Sequence, residues 1–188
     1  TRWQSRPEIT KLFRCGQAQP EEGGYPACRG DQMIKTKIGL LFGGRSVEHE
    51  VSVTSATSIV QALDPDRYDV VLIGIDPDGR WHLGAKEQTP AKALGGPEVL
   101  LAATPNGGSL IPVVSDSLPE RISLDVMLPI VHGRGGEDGA LQGLLELAEI
   151  PYVGSGVLSS SIQMDKDISK KLLEAAGLPV VPWRIIRD

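Results

Sequence analysis

Aromatic side chains make up only 4% of the 188 residues, and cysteine occurs twice, at Cys15 and Cys28. Two cysteines cannot complete a zinc site, and from Met33 onward there are none to cross-link, which suits a reducing compartment. No apolar run approaches the ~20 residues that would carry a helix across a bilayer. Positive charge is also short: 19 basic against 24 acidic residues leave a net charge of −5. A nucleic-acid binder needs a basic surface against phosphates, so nucleic-acid and membrane partners are both disfavoured. What remains is a chain that is 40% hydrophobic and 23% charged, enough to bury a core, with 22 glycines and 14 prolines to punctuate it.

The first 32 residues carry no sustained period of 2 or 3.6 and no apolar stretch of signal-peptide type. Met33 stands just before the first apolar run, so it is expected to be the natural start and residues 1–32 a disordered or non-native tail. From Met33 the chain holds 14 basic and 20 acidic residues, a net charge of −6.

Apolar runs and helical spacings then alternate. Lys37–Phe42 reads as a buried strand closed by Gly43-Gly44, and Ala56, Ile59, Val60 and Leu63 as one face of a helix stopped at Asp64-Pro65. Val70–Ile75 predicts a second strand, with Asp76-Pro77-Asp78-Gly79 turning it into a hairpin arm at Arg80–Leu83. Residues 84–98 read as a surface connection, and Val99–Ala103 with Leu110–Val114 as a second hairpin. Asp125–Val131 is the next strand, and Pro129 places it at a sheet edge or near its own end. Leu141, Leu144, Leu145 and Ala148 mark a helix, and Pro151–Gly154 a brief strand. Asp165 caps a further helix that Gly177 ends, and Val180–Ile186 reads as a strand. The pattern predicts an α/β fold, an open, mostly parallel sheet flanked by helices, with ligands at the carboxyl ends of its strands.

Two loops fall at such ends. Gly43-Gly44-Arg45-Ser46-Val47-Glu48-His49-Glu50 lets the backbone turn sharply into a helix start. Glu48 and Glu50 there either complement the helix dipole or, functionally, hold the ammonium group of a small zwitterion. His132-Gly133-Arg134-Gly135-Gly136-Glu137-Asp138-Gly139 has four glycines in eight residues, more than a plain turn needs and suited to close approach of a ligand. His132 is either a hydrogen-bonded structural histidine or a site residue, and Glu137 and Asp138 either cap the next helix or serve the site. Gly39 to Ser46 imitates a phosphate-binding P-loop, but its first glycine lies inside the strand and the lysine is missing. Gly154-Ser155-Gly156 imitates a dinucleotide fingerprint without the third glycine. His49, His82 and His132 have no metal-site spacing.

Three segments, GGRSVEHEVS, HGRGGEDGALQG and QMDKDISKKLLEAAGLPVVPW, together resemble the D-alanine–D-alanine ligases of the ATP-grasp superfamily. The likeness runs from about Lys37 to the last residue. It implies a pre-ATP-grasp, Rossmann-like domain over residues 33–163, the beginning of an ATP-grasp domain over 164–188, and a chain truncated before that second domain is complete. It implies ATP-dependent joining of two D-alanines through an acylphosphate for peptidoglycan, with magnesium at the phosphates and its ligands beyond Asp188. By the same resemblance Glu48 is the catalytic-site acid holding the first D-alanine's amino group, and His132 stands beside that subsite. Glu137 organises the polar network, and Lys166 reaches the ATP phosphates. Arg134 matches a variable position. The resemblance further implies a cytoplasmic homodimer paired through this domain, and a 188-residue chain inactive by itself. Two other readings stay open, a D-alanyl-D-lactate or D-alanyl-D-serine ligase and a non-catalytic binding or assembly domain.

Overall fold

The computed structural model describes residues 35–103, 108–113 and 121–186. The expected tail over 1–32, both cysteines and the tip of the second hairpin at 104–107 lie outside the described residues.

β1 (Thr36–Gly43) is apolar on both faces because both are covered. Leu40 and Phe42 point into one cluster with Val53 and Ala56 of α1 (His49–Ala62). Leu41 points the other way, into a cluster with Leu141 and Leu145 of α3 (Ala140–Leu147). Alternation of side chains along the strand thus assigns one helix to each face of the sheet.

β2 (Tyr68–Ile75) pairs parallel to one side of β1, with Leu41 opposite Ile73. β7 (Val126–Pro129) pairs parallel to the other side, with Leu41 opposite Pro129. β7 is the terminal strand and ends at its proline, the placement that the missing N–H demands. Among the described residues its outer side meets a single parallel bridge, Met127 to Tyr152, so the brief strand expected at 151–154 is one bridge long. The remaining strands extend the sheet as hairpins: β3 (Trp81–Leu83), β4 (Glu98–Ala102), β5 (Ser109–Pro112) and β6 (Ile122–Ser123). The order is β6-β5-β4-β3-β2-β1-β7, open and helix-flanked as expected. It is a mixed sheet rather than a mostly parallel one, because β2 to β6 pair antiparallel in chain order and parallel pairing is confined to β1 with β2 and β7.

Three segments differ from the expectation. Residues 84–98 include α2 (Pro90–Ala93), whose Pro90 and Ala93 are buried. Room for it comes from Gly84, where a Cβ would stand 2.8 Å from both Ala93 Cβ and Leu72 Cβ. α4 (Val157–Met164) has no apolar stripe to announce it, since its buried residue is Ser160. Residues 178–186 form no strand; a strand needs a ladder partner, and Trp183 instead folds back to donate to Glu174 of α5 (Lys166–Ala175) at 2.9 Å.

The carboxyl ends of β2, β1 and β7 all point the same way. The chain leaves β1 for β2 on one side, while β7 joins on the other, so the order of the parallel strands reverses at β1. Loops leaving β1 and β7 therefore converge over a topological switch point, where an open α/β sheet leaves a crevice.

Candidate functional site at the switch point

Both loops begin on a shared floor. Ser52 of α1 is fully buried, and its Oγ accepts from the amide of Gly43 at 2.7 Å and donates to the carbonyl of Ile130 at 2.6 Å. One hydroxyl thereby ties the end of β1 to the end of β7. Gly43 has φ +89, and a Cβ there would lie 2.2 Å from the carbonyl oxygen of Ile75, so only glycine lets the chain leave the sheet at this point.

Above the floor the loops touch directly. Ser46 Oγ donates to the carbonyl of His132 at 2.8 Å and accepts from the amide of Glu48 at 3.1 Å. The Glu48 carboxylate faces Gly133: a Cβ on Gly133 would stand 3.0 Å from Glu48 Oε2. Glu48 and the His132–Gly133 backbone, 84 positions apart in sequence, are thus neighbours. Glu48 occupies the position before α1 yet makes no side-chain cap bond, which leaves its oxygens to face the crevice rather than the helix amides. His132 Nε2 is buried with no hydrogen-bond partner among the described residues. Such an orphaned ring nitrogen calls for an explanation beyond packing.

The glycine loop is braced from within. Glu137 Oε2 accepts from the amide of Gly133 at 2.7 Å. Asp138 accepts from the amides of Gly135 at 2.9 Å and Ala140 at 3.1 Å. Burial works against its ionised form, but those two N–H groups, with Arg134 nearby, outweigh it and hold the Asp138 carboxyl below the usual carboxylate range. Gln142 is buried on α3 and donates to the carbonyl of Gly136 at 2.8 Å. Helical spacing assigns Leu144 to the buried face, yet Leu144 is 38% exposed, while Gln142, which donates to the loop, is buried. Sequence reasoning missed Gln142, Ser46 and Ser52 as builders of this site. All three lie in the quoted motifs, but a loop serine such as Ser46 reads as a turn residue, and polar residues on a helix face such as Ser52 and Gln142 read as solvated.

Lys166 opens α5 and its ammonium rests on the carbonyl of Gln163 at 3.0 Å, not on the two loops. α5 itself is started by Asp165, whose Oδ1 accepts from the amides of Asp167 and Ile168. Arg134 is exposed. Two surface hollows, around Val60, Pro65, Tyr68 and Glu87, sit at the amino-terminal end of the parallel strands and touch neither loop. Among the described residues no group of three His, Cys, Asp or Glu stands together that could hold a metal ion.

A carboxylate and a glycine-rich loop thus meet at the switch point of a helix-flanked open sheet, which defines the chain as an open-sheet α/β domain. The profile described as D-ala D-ala ligase N-terminus matches residues 37–155, and the chain belongs to that family. It is 47% identical over 156 residues to a D-alanine–D-alanine ligase of Methylobacterium sp., covering 81% of this chain and 40% of that protein. It is 49% identical over 154 residues to one of Oceanobacillus iheyensis, covering 78% of this chain and 42% of that protein. Among solved structures, the D-alanine-D-alanine ligase of Coxiella burnetii matches with TM-score 0.70 and 41% identity over 79% of this chain and 43% of its own. VanG D-Ala:D-Ser ligase of Enterococcus faecalis matches with TM-score 0.67 and 35% identity over 78% of this chain and 43% of its own. The chain therefore spans less than half the length of these relatives.

Proposed function

We propose that this sequence is the amino-terminal part of an ATP-dependent ligase that joins two D-alanines for peptidoglycan synthesis, residues 33–163 being its first domain and residues 164–188 the start of its ATP-grasp domain. The observation that carries the reading is the Glu48 carboxylate set against Gly133 and beside His132, in a chain whose relatives are D-alanine–D-alanine ligases. A zwitterionic amino acid entering the crevice meets an anionic group suited to its ammonium, and a charge-assisted bond in a partly dehydrated site is among the stronger ones available. In this reading Glu48 holds the amine of the first D-alanine and His132 lines the same subsite. Glu137 keeps the loop backbone in place through Gly133, and Lys166 turns from Gln163 to the ATP phosphates. The carboxylate of the first D-alanine takes the terminal phosphoryl group of ATP, releasing ADP. The amine of the second D-alanine then attacks the acylphosphate carbonyl, expelling phosphate and a proton. Magnesium, bound by residues outside this sequence, would neutralise charge at the phosphates. The ligase works in the cytoplasm as a homodimer.

In the complete ligase, Glu48→Gln is expected to raise the half-saturating D-alanine concentration by about tenfold or more and to leave that for ATP unchanged. Phosphate release with each substrate varied in turn reads this, and an unchanged D-alanine dependence would remove Glu48 from the site. The 188 residues alone, less than half of a relative's length, are expected to release no phosphate with ATP and D-alanine. Turnover by them would relocate the nucleotide site. Similarity to VanG keeps a second reading in play, a ligase that takes D-serine or D-lactate as its second substrate. Offering all three acceptors to the complete ligase separates the two.

A further inference from the structure

A serine hydroxyl has one proton to give, and at Ser46 its direction is settled. The lone pairs face the amide of Glu48 at 3.1 Å, two residues on, as in a serine turn, so the proton is directed across the crevice to the His132 carbonyl at 2.8 Å. Both bonds end on the backbone of the residues read above as holding the first D-alanine. The side chain of Ser46 also limits the far wall, since a Cβ on Gly133 would lie 3.1 Å from Ser46 Cβ and 3.2 Å from its Oγ. Ser52 does a separate job lower down, tying Gly43 to Ile130 where the strands end. The floor is therefore fixed without Ser46, while the rim, where Glu48 and His132 stand, has the Ser46 hydroxyl across it.

We propose that Ser46 is a positioning residue: its hydroxyl fixes the separation of Glu48 from the His132 loop and so sets the width of the amine-binding subsite. The proposal rests on the reading of Glu48 and His132 as partners of the first D-alanine. Loss of the hydroxyl frees the turn at 46–48 and lets the two loops part, which misplaces the carboxylate without removing it. Small misplacements of a binding group cost affinity because the partner's charge is then met at the wrong distance.

The test uses Ser46→Ala, Ser46→Thr, Ser52→Ala and Glu48→Gln in the complete ligase, with hydrogen exchange of the 188-residue chain as a readout independent of turnover. Ser46→Ala is expected to raise half-saturating D-alanine by about tenfold with that for ATP unmoved, and Ser46→Thr, which keeps the hydroxyl, to recover most of the loss. In the 188-residue chain, Ser46→Ala should speed exchange at the Glu48 amide and across residues 132–135 while leaving the unfolding midpoint nearly in place. Ser52→Ala should instead lower that midpoint. If Glu48→Gln raises half-saturating D-alanine and Ser46→Ala does not, the proposal falls and the reading of the site stands. If Ser46→Thr behaves as Ser46→Ala, the hydroxyl is not the cause and the proposal falls. If Glu48→Gln has no effect, both fall. Should Ser46→Ala fail to fold in the complete ligase, Ser46 is structural and the proposal is overturned.

Discussion

His82 Nε2 lies 3.0 Å from Asp76 Oδ2, and its Nδ1 lies 3.0 Å from the carbonyl oxygen of Gly96. Both ring nitrogens face acceptors, so the imidazole that satisfies this geometry is the doubly protonated cation. The pair is sheltered, with side chains 14% and 18% exposed, and it ties the carboxyl end of β2 to β3 and to the turn before β4. Burial opposes the charge on His82, but the Asp76 carboxylate and the Gly96 carbonyl outweigh it, with Glu98 adding to them, and raise its pKa. The His82 bond in turn outweighs burial at Asp76 and, with the amides of Arg80 and Gly79, holds its carboxyl below the usual range.

This pair makes stability depend on pH in a definite direction. A raised histidine contributes fully below its ordinary value of 6.5, and the contribution is lost as pH rises through the higher folded value. A depressed aspartate contributes fully above its ordinary 3.8 and loses that contribution as pH falls below it. The pair is therefore whole between those two values. Urea unfolding of the 188-residue chain at pH 6 and pH 8.5, beside His82→Gln, should show the wild type losing on the order of 1 kcal/mol more than the variant over that interval. Equal losses in the two proteins would show that His82 is not the titrating group.

Neighbouring glycines in the His132 loop should respond unequally to a methyl group. Gly135 has φ +87, but a Cβ there would meet nothing within 4 Å, so Gly135→Ala bears only backbone strain, about 1 kcal/mol. At Gly136 a Cβ would stand 2.3 Å from the carbonyl oxygen of Val131, which is backbone and cannot swing aside. Gly136→Ala should cost at least about 2 kcal/mol more than Gly135→Ala, read as the difference in unfolding free energy. Equal costs would mean the loop relaxes freely around Val131.

Glu137 braces Gly133 through one short bond to its amide. Glu137→Gln keeps an acceptor of the same reach, whereas Glu137→Ala leaves the amide to water. Exchange at Gly133 should therefore quicken markedly in the alanine variant and only slightly in the glutamine variant. The same rate in both would assign the protection to charge rather than to the bond.

Asp165 satisfies two amides at the start of α5, while Leu172 and Leu173 on that helix are 49% and 37% exposed. A helix with so little buried surface depends on its cap. Asp165→Ala should destabilise α5 by about 1 kcal/mol, seen as faster exchange from Lys166 to Ala175 with β1 unaffected. Protection unchanged in α5 would show that another contact holds the helix.

The central strands, the two main helices and the turn chemistry were legible because each rests on local rules, whereas the strand expected at 180–186 was not, because no partner strand pairs with it. The apolar run 38–42 must be buried on both sides, Pro129 must end a strand or sit at an edge, and Asp165 and Gly177 bound a helix through their own backbone chemistry. The short helix at Pro90 was not legible, because its burial depends on the absent side chain of Gly84 in another part of the chain. Neither was α4, a serine-rich segment whose Ser161 hydroxyl reaches the Asp138 carbonyl at 2.9 Å. The sequence alone singled out Glu48, His132 and Glu137 as candidates in the loops that follow β1 and β7, since glycines and carboxylates in such loops are informative wherever the loops end up. Only the tertiary structure decided that those loops touch. The contact arises because β1 lies between β2 and β7, and because Ser46 and Ser52 spend their hydroxyls on a carbonyl group more than seventy residues away, a pairing that no local pattern encodes.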